Sequence, residues 1–312
     1  MERSAVTPTG NAVSPTARAV PEWPAVAELF KPITWFPPMW AFACGVVASG
    51  VPLAERWWLA VIGIVLAGPM VCATSQAVND WFDRHVDAIN EPNRPIPSGR
   101  IPGRWGLRIA IIWTGVSLAV ATLLGPWGLA AAVAGLALAW AYSAPPLRLK
   151  ANGWWGCLAC GLSYETLAWV TGAAVMAGGV MPPGPTLLLA LLYGLGAHGI
   201  MTLNDFKAIT GDRQMGIRSL PVQLGAQGAA WVACVVMALP QFVVIGLLLH
   251  WAAPWHALAV GALLVGQFVL MGWFLRKPVE RALYYSGFGV PLYVAGMMVS
   301  AFALRLLPSA TS

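Results

Sequence analysis

The chain has five aspartates, and all of them fall in two short segments. The first, NDWFDRHVDAINEPNRPIPSGR from Asn79 to Arg100, holds Asp80, Asp83 and Asp87. The second, NDFKAITGDRQMGIRSLP from Asn204 to Pro221, holds Asp205 and Asp212. On a helix, the i, i+3, i+7 spacing of the first set places three carboxylates within an arc of roughly 60°. A helix continued through the second segment would align Asp205 and Asp212 at i, i+7 in the same way. Like charges stacked on one helix face repel by ~0.2–0.5 kcal/mol per pair in water, and by more near lipid. A divalent cation is the simplest offset. Carboxylates, with the side-chain carbonyls of Asn79 and Asn204, are hard oxygen donors that suit Mg²⁺ or Ca²⁺ and not a soft-ligand metal. Mg²⁺ takes one or two carboxylates and fills its other positions with water and phosphate oxygens. The candidate ligands are therefore Asn79, Asp80, Asp83, Asp87, Asn204, Asp205 and Asp212, with Asp80, Asp83, Asp205 and Asp212 as the catalytic set. The competing reading is a solvated acidic helix end. It would scatter acids over several loops, and this chain does not.

The neighbouring cations fit a phosphate ligand. Arg94, Arg100 and Arg104 follow the first acids. The run Tyr142-Ser-Ala-Pro-Pro-Leu-Arg148-Leu-Lys150 forms a further loop, and Lys207, Arg213 and Arg218 lie in the second segment. Guanidinium forks and ammonium groups are what a diphosphate needs. Arg94, Arg148, Lys150 and Lys207, beside proline-rich turns or acids, are read as phosphate ligands. Arg104, Arg108, Arg276, Lys277 and Arg281 are read as membrane anchors.

These segments need elements to hold them, and composition states which kind. The 312 residues are 58% hydrophobic and only 10% charged, where a soluble domain carries about a quarter charged. Apolar runs of about 20 residues predict nine membrane-spanning helices. They cover residues 33–50, 57–78, 106–124, 126–143, 153–177, 185–203, 229–249, 254–274 and 287–306. Residues 1–30, rich in Pro, Ala, Thr and Ser, are expected to be a disordered tail, leaving 31–312 as one transmembrane domain. With nine spans, 16 of the 18 Lys and Arg fall on one side, and only Arg56 and Arg305 on the other. The positive-inside rule then puts the N-terminus in the cytoplasm and the C-terminus outside. Both acidic segments emerge on the cytoplasmic face. The net charge of +6 describes that face, with lipid and anionic substrate as its partners and no nucleic acid. Cys44, Cys72, Cys157, Cys160 and Cys234 all lie in apolar spans, so neither a disulfide nor a zinc site is expected.

The residues resemble a known family. Asn79-Asp80-x-x-Asp83-x-x-x-Asp87 followed by Asn93-Arg94-Pro95-Ile96-Pro97-Ser98-Gly99 is similar to the first signature of the UbiA-type membrane prenyltransferases. Tyr142-Ser143-x-Pro145, running on to Lys150, resembles their Tyr/Lys loop and adds Tyr142 to the substrate-binding set. Asn204-Asp205-Phe206-Lys207 through Gly211-Asp212-Arg213 resembles the second motif of the chlorophyll synthase branch. KPITWFPPMWAFACG at 31–45 and GAHGIMTLNDFK at 196–207 resemble its bacterial, bacteriochlorophyll-making members. The likeness covers nearly the whole chain after residue 28. It implies an all-α membrane protein with nine helices around a central cavity, capped by the acidic motifs. It implies an isoprenoid diphosphate donor, geranylgeranyl or phytyl, held through Mg²⁺, and transfer to the propionate of bacteriochlorophyllide. It also implies a bacterial inner or intracytoplasmic photosynthetic membrane, and leaves room for contact with other pigment-biosynthesis enzymes. One departure is that Ala208 and Ile209 stand where many family members place a further acid.

Two polar residues fall inside spans and are functional candidates on that ground. Glu165 would orient the acceptor, or be a hydrogen-bonded packing residue. His198 would ligate the macrocycle's magnesium, or be an interior histidine. His85 points off the aspartate face. The competing functions are a UbiA-type transferase with a chlorophyllide, quinone-precursor or haem acceptor, and, from a different class, a cation transporter.

Overall fold

The computed structural model describes residues 20–307. Among them the chain is helical throughout, apart from an isolated parallel bridge between Asn152 and Arg218. Of the tail expected over 1–30, residues 1–19 lie outside the described residues. Trp23–Leu29, however, form a helix, α1, with proline in its first turn. It buries Ala25 and Leu29 against Ala73, Ala77 and Ile101. Seven residues with two anchoring side chains make too short a run to register as an apolar segment.

Helix α2 (Phe36–Ala48) is followed by α3 (Leu53–Val65), a π-helical stretch Leu66–Cys72, and α4 (Ala73–Asn90). Pro69 sits in the π-helical stretch, and its carbonyl accepts the Trp113 indole N–H at 2.8 Å. A proline removes one helical hydrogen bond, and in an apolar medium the freed groups must find partners nearby. Helix α4 runs well past the apolar stretch because nothing in ATSQAVNDWFDRHVDAIN breaks it. It ends at Glu91, which precedes Pro92 and leaves the helical region at φ −141°.

Helices α5 (Trp105–Ala121) and α6 (Gly125–Ser143) are joined at Gly125, whose φ of 75° suits glycine. A nine-residue α7 (Gly153–Gly161), a π-helical stretch Leu162–Leu167 and α8 (Ala168–Met176) follow as one run. Asn152 caps α7 by accepting from the Trp154 amide at 3.0 Å. Then come α9 (Gly184–Asp205), the short α10 (Ile209–Gln214), α11 (Leu220–His250), α12 (Pro254–Phe274) and α13 (Pro278–Leu306).

By length and composition, six stretches are able to cross a membrane: Leu53–Ile89, Trp105–Ser143, Gly184–Asp205, Leu220–His250, Pro254–Phe274 and Pro278–Leu306. The second of these contains the break at Gly125. The five cysteines are free.

Small residues let the helices approach closely, as expected where lipid gives no hydrophobic drive between them. Gly45 of α2 lies on the Trp169 carbonyl of α8, and Gly172 of α8 lies on the Phe42 carbonyl of α2. Buried polar pairs tie the rest. Gln241 of α11 and Gln267 of α12 exchange hydrogen bonds at 3.1 and 2.9 Å. The Tyr293 hydroxyl of α13 donates to the Tyr193 carbonyl of α9 at 2.7 Å.

The second acidic segment differs from its expected geometry. Helix α9 ends at Asp205, a turn follows, and Asp212 sits on the separate α10. Asp205 and Asp212 therefore do not share one helix face. Phe206, just past the end of α9, is 2% exposed and packs edge-on to Phe274 at 5.6 Å.

Candidate functional site

Helix α4 presents its three aspartates on one side, as the spacing requires, and the surrounding loops supply a cation to each. Asp80, 2% exposed, meets the Lys31 ammonium at 2.6 Å and the Arg94 guanidinium at 3.5 Å. Asp87 accepts from Arg94 at 3.0 Å, and Arg94 also meets Glu91. Asp83 lies 2.6 Å from the Lys150 ammonium and 4.0 Å from Arg148. The Asn79 amide donates to the Ser143 hydroxyl at 3.3 Å. His85 is exposed and off this face.

The electrostatics follow from this crowding. Burial works against the Arg94 charge, but Asp80, Glu91 and Asp87 outweigh it and hold the guanidinium above its usual range. Burial pushes the Lys150 ammonium below its usual range, although Asp83 opposes the shift. Lys31 and Arg148 both sit in the left-handed region, with φ of 45° and 37°. Non-glycine residues enter that region at a cost, and such residues collect at functional sites.

The second segment closes the site from the other side. The loop after α6 is stitched to it: the Gly153 amide donates to the Arg218 carbonyl at 2.8 Å, and the Arg218 amide to Ala151 at 2.9 Å. Burial raises the Asp212 carboxyl, the Ser219 hydroxyl opposes this, and the Asp83 charge adds to the rise. The two acidic segments thus feel one another. Asp205 accepts a long contact from the Cys157 thiol at 3.9 Å. Among the described residues, neither Asp205 nor Asp212 makes an ion pair. Asn204, Lys207, Arg213 and Arg218 are exposed at the rim, where Asn204 reaches only the Met201 sulfur at 4.0 Å.

Among the described residues, no three acidic, histidine or cysteine side chains converge tightly enough to hold a metal as they stand. The donor set nevertheless fits one. Asp80 Oδ2 is buried without a hydrogen-bond partner, an electron-rich oxygen aimed at nothing in the protein. Asp205 and Asp212 make no ion pair among the described residues, and burial raises both carboxyls, Asp205 to about 7. Hard oxygens in this number suit Mg²⁺.

Beneath the acids runs an apolar space. One cavity is lined by Ser75, Leu138, Tyr142, Cys160 and Tyr164. It shares Val71, Gly135, Ser163 and Tyr164 with a second, which continues to Phe42, Gly63, Gly128 and Thr171. Polar atoms are few and lie toward the acidic end: the Cys72 thiol donates to the Tyr164 hydroxyl at 3.5 Å. Glu165 and His198 are not part of this constellation. Glu165 is 4% exposed, lines neither cavity, and leaves Oε2 unpartnered. His198 is 6% exposed and lies against the Trp154 ring at 5.6 Å between α7 and α9.

Sequence reasoning missed Lys31, Ser143, Cys157 and Tyr164. Lys31 stands ahead of an apolar run and reads there as a membrane anchor. Its role follows from α1, which folds the chain back over α4.

The UbiA prenyltransferase family model matches residues 34–304. The chain is 58% identical over 288 residues to the bacteriochlorophyll synthase 33 kDa chain of Cereibacter sphaeroides, covering 92% of this chain and 95% of that protein. It is 57% identical over 295 residues to the protein of the same name from Rhodobacter capsulatus, covering 94% and 97%. Among solved structures, a UbiA homolog from Archaeoglobus fulgidus bound to GPP and Mg²⁺ superposes with a TM-score of 0.63. The coverage is 90% of this chain and 99% of that one, at 20% identity, so the likeness is one of fold.

Proposed function

The chain belongs to the UbiA prenyltransferase family, and from that premise we propose that it esterifies the propionate of bacteriochlorophyllide with a geranylgeranyl or phytyl group taken from its diphosphate. The observation that carries this reading is a carboxylate–cation cluster on α4, with an apolar cavity lined by Ser75, one turn before Asn79 on the same helix, and by Tyr142. The allylic C1–O bond of the donor breaks, diphosphate leaves, and a propionate oxygen bonds to C1. The carboxylic acid is already ionised near neutral pH, so no general base is required.

Mg²⁺, when bound, would neutralise charge developing on the departing diphosphate. Asp80, Asp83, Asp87, Asp205 and Asp212 would hold it, assisted by Asn79 and Asn204. Lys31, Arg94, Arg148 and Lys150 converge on the acids and would grip the diphosphate oxygens; Lys207 would reach them from the rim. A cation held within an apolar wall is kept from water, and Tyr142 and Tyr164 supply the polar lining at the acidic end.

In this reading nine segments cross the membrane. They are the six apolar stretches, with Trp105–Ser143 counted twice because it turns at Gly125, together with α2 and the α7–α8 run. The N-terminus and the acidic face lie in the cytoplasm. The described residues, with α1 packed on α4, belong to one domain in the bacterial inner or photosynthetic membrane, able to contact other pigment-biosynthesis enzymes; residues 308–312 of the domain expected over 31–312 lie outside the described residues.

The test is a product assay with purified protein in liposomes, supplying bacteriochlorophyllide a with either diphosphate, with and without Mg²⁺. Esterified pigment that forms only with Mg²⁺ is expected. Transfer to chlorophyllide or an aromatic acid alone would overturn the acceptor and keep the family chemistry.

The cavity makes a second prediction. Gly135 lies on both cavities, and a Cβ there would meet Val71 at 3.3 Å and Leu167 at 3.6 Å. Gly135→Phe should fill the passage and lower kcat/KM for the 20-carbon donor about 100-fold, or ~2.7 kcal/mol. A five-carbon diphosphate should still bind. Equal losses for both chain lengths would place the isoprenoid elsewhere.

A further inference from the structure

At the end of the bundle opposite the acidic site lies a third cavity, open to the outside, of about 460 Å³. The start of α3, the turn between α5 and α6, and the segment after α8 line it. The lining includes Glu55, Arg56, Trp58, Trp127, Gly178 and Gly179. An acid and a base stand side by side here, and among the described residues neither makes an ion pair.

The backbone is arranged to bring them in. Helix α3 breaks at Arg56, with φ −138° and ψ 28°. That turn lets one guanidinium nitrogen donate to the Met176 carbonyl at the end of α8, at 2.6 Å. Arg56 therefore satisfies a helix C-terminus with one of its five N–H donors. The others remain for a ligand. Gly178 and Gly179 adopt φ of 77° and 86°. A Cβ on Gly178 would meet the Arg56 guanidinium at 3.1 Å, and one on Gly179 would meet Trp127 at 3.4 Å. The glycine pair keeps the space open.

We infer that this cavity is a binding site for one zwitterionic phospholipid headgroup, with the phosphate on Arg56 and the primary ammonium of phosphatidylethanolamine on Glu55. Charge complementarity selects the occupant: one anion and one cation, adjacent in one pocket, match a headgroup that carries both. Trp58 is 46% exposed and Trp127 half-buried. Their amphipathic rings are of the kind that settle at headgroup depth, where the acyl chains can pass outward. An anionic lipid would meet Arg56 but be repelled by Glu55. Phosphatidylcholine would offer Glu55 no N–H donor.

Native mass spectrometry of the full chain, in micelles holding equal phosphatidylethanolamine, phosphatidylglycerol and phosphatidylcholine with the same acyl chains, tests this. One phosphatidylethanolamine should be retained about tenfold over the other two. Glu55→Gln should erase that preference while lowering thermal stability by no more than the loss of a first-turn charge, because among the described residues Glu55 makes no ion pair. Arg56→Gln should lower retention of all three lipids, but it also removes the α8 cap, so Glu55→Gln is the deciding variant. Equal retention by the wild type, a preference for phosphatidylglycerol, or a preference that survives Glu55→Gln would overturn the assignment.

Discussion

Asp80→Asn should lower ester formation about 10³-fold while leaving the folded protein intact. The two side chains have the same shape, so packing is unchanged, and the loss is of charge alone. Asp80 is the most buried of the three α4 acids and meets both Lys31 and Arg94. Its Oδ2 is buried without a hydrogen-bond partner among the described residues. Removing a preorganised electrostatic group from a water-poor site costs about 10²–10³ in kcat, and the loss of a metal ligand adds to that.

The kinetic split makes the prediction specific. An amide at residue 80 leaves Lys31 and Arg94 without their shared anion, so the site becomes more positive. The donor diphosphate should therefore keep its KM or bind more tightly, while the Mg²⁺ concentration for half-maximal rate rises at least about tenfold. His85→Ala, on the exposed side of the same helix, should change neither. A raised donor KM with an unaltered Mg²⁺ requirement would assign Asp80 to positioning the cations and not to the metal.

Gly45→Leu should prevent the protein from accumulating in a folded, monodisperse form. A Cβ at Gly45 would run into the Trp169 carbonyl and the Ala173 amide nitrogen, which are backbone atoms of α8 that no rotamer change can move. Overpacking a well-filled core costs about 1–3 kcal/mol when side chains can give way. Here the helices themselves must part, so the cost exceeds that range. The Gly172–Phe42 contact in the same interface would open with it. Gly115→Leu is the control: a Cβ there meets nothing within 4 Å, so it should leave the melting temperature in detergent unchanged. If both variants melt alike, the α2–α8 contact does not limit stability.

Several functional features were legible in the sequence for identifiable reasons. The i, i+3, i+7 spacing of Asp80, Asp83 and Asp87 defines one helix face wherever the helix lies, because helical periodicity is local. Apolar composition required membrane helices, because in lipid the backbone must satisfy its own hydrogen bonds. The motif wording carried the family, which the comparisons bear out. The cations Arg94, Arg148 and Lys150 were selected by sequence proximity to turns and acids, and they do meet the α4 carboxylates.

Tertiary structure alone decided the remainder. Lys31 reaches Asp80 across 49 positions of chain because α1 packs on α4, and nothing local distinguishes that lysine from an anchor at a membrane surface. Asp205 and Asp212 part company because the chain leaves α9 after Asp205 and begins a new helix at Ile209, beside a Phe206 buried against Phe274, 68 residues away. The pairing of the α6–α7 loop with the second acidic segment is likewise a meeting of distant strands of chain. Sequence determined the residue types on offer and the shared helix face of Asp80, Asp83 and Asp87, since residue type and helical spacing are written position by position. Which cation faces which acid, and where the apolar space opens beneath them, depended on how helices far apart in sequence pack together.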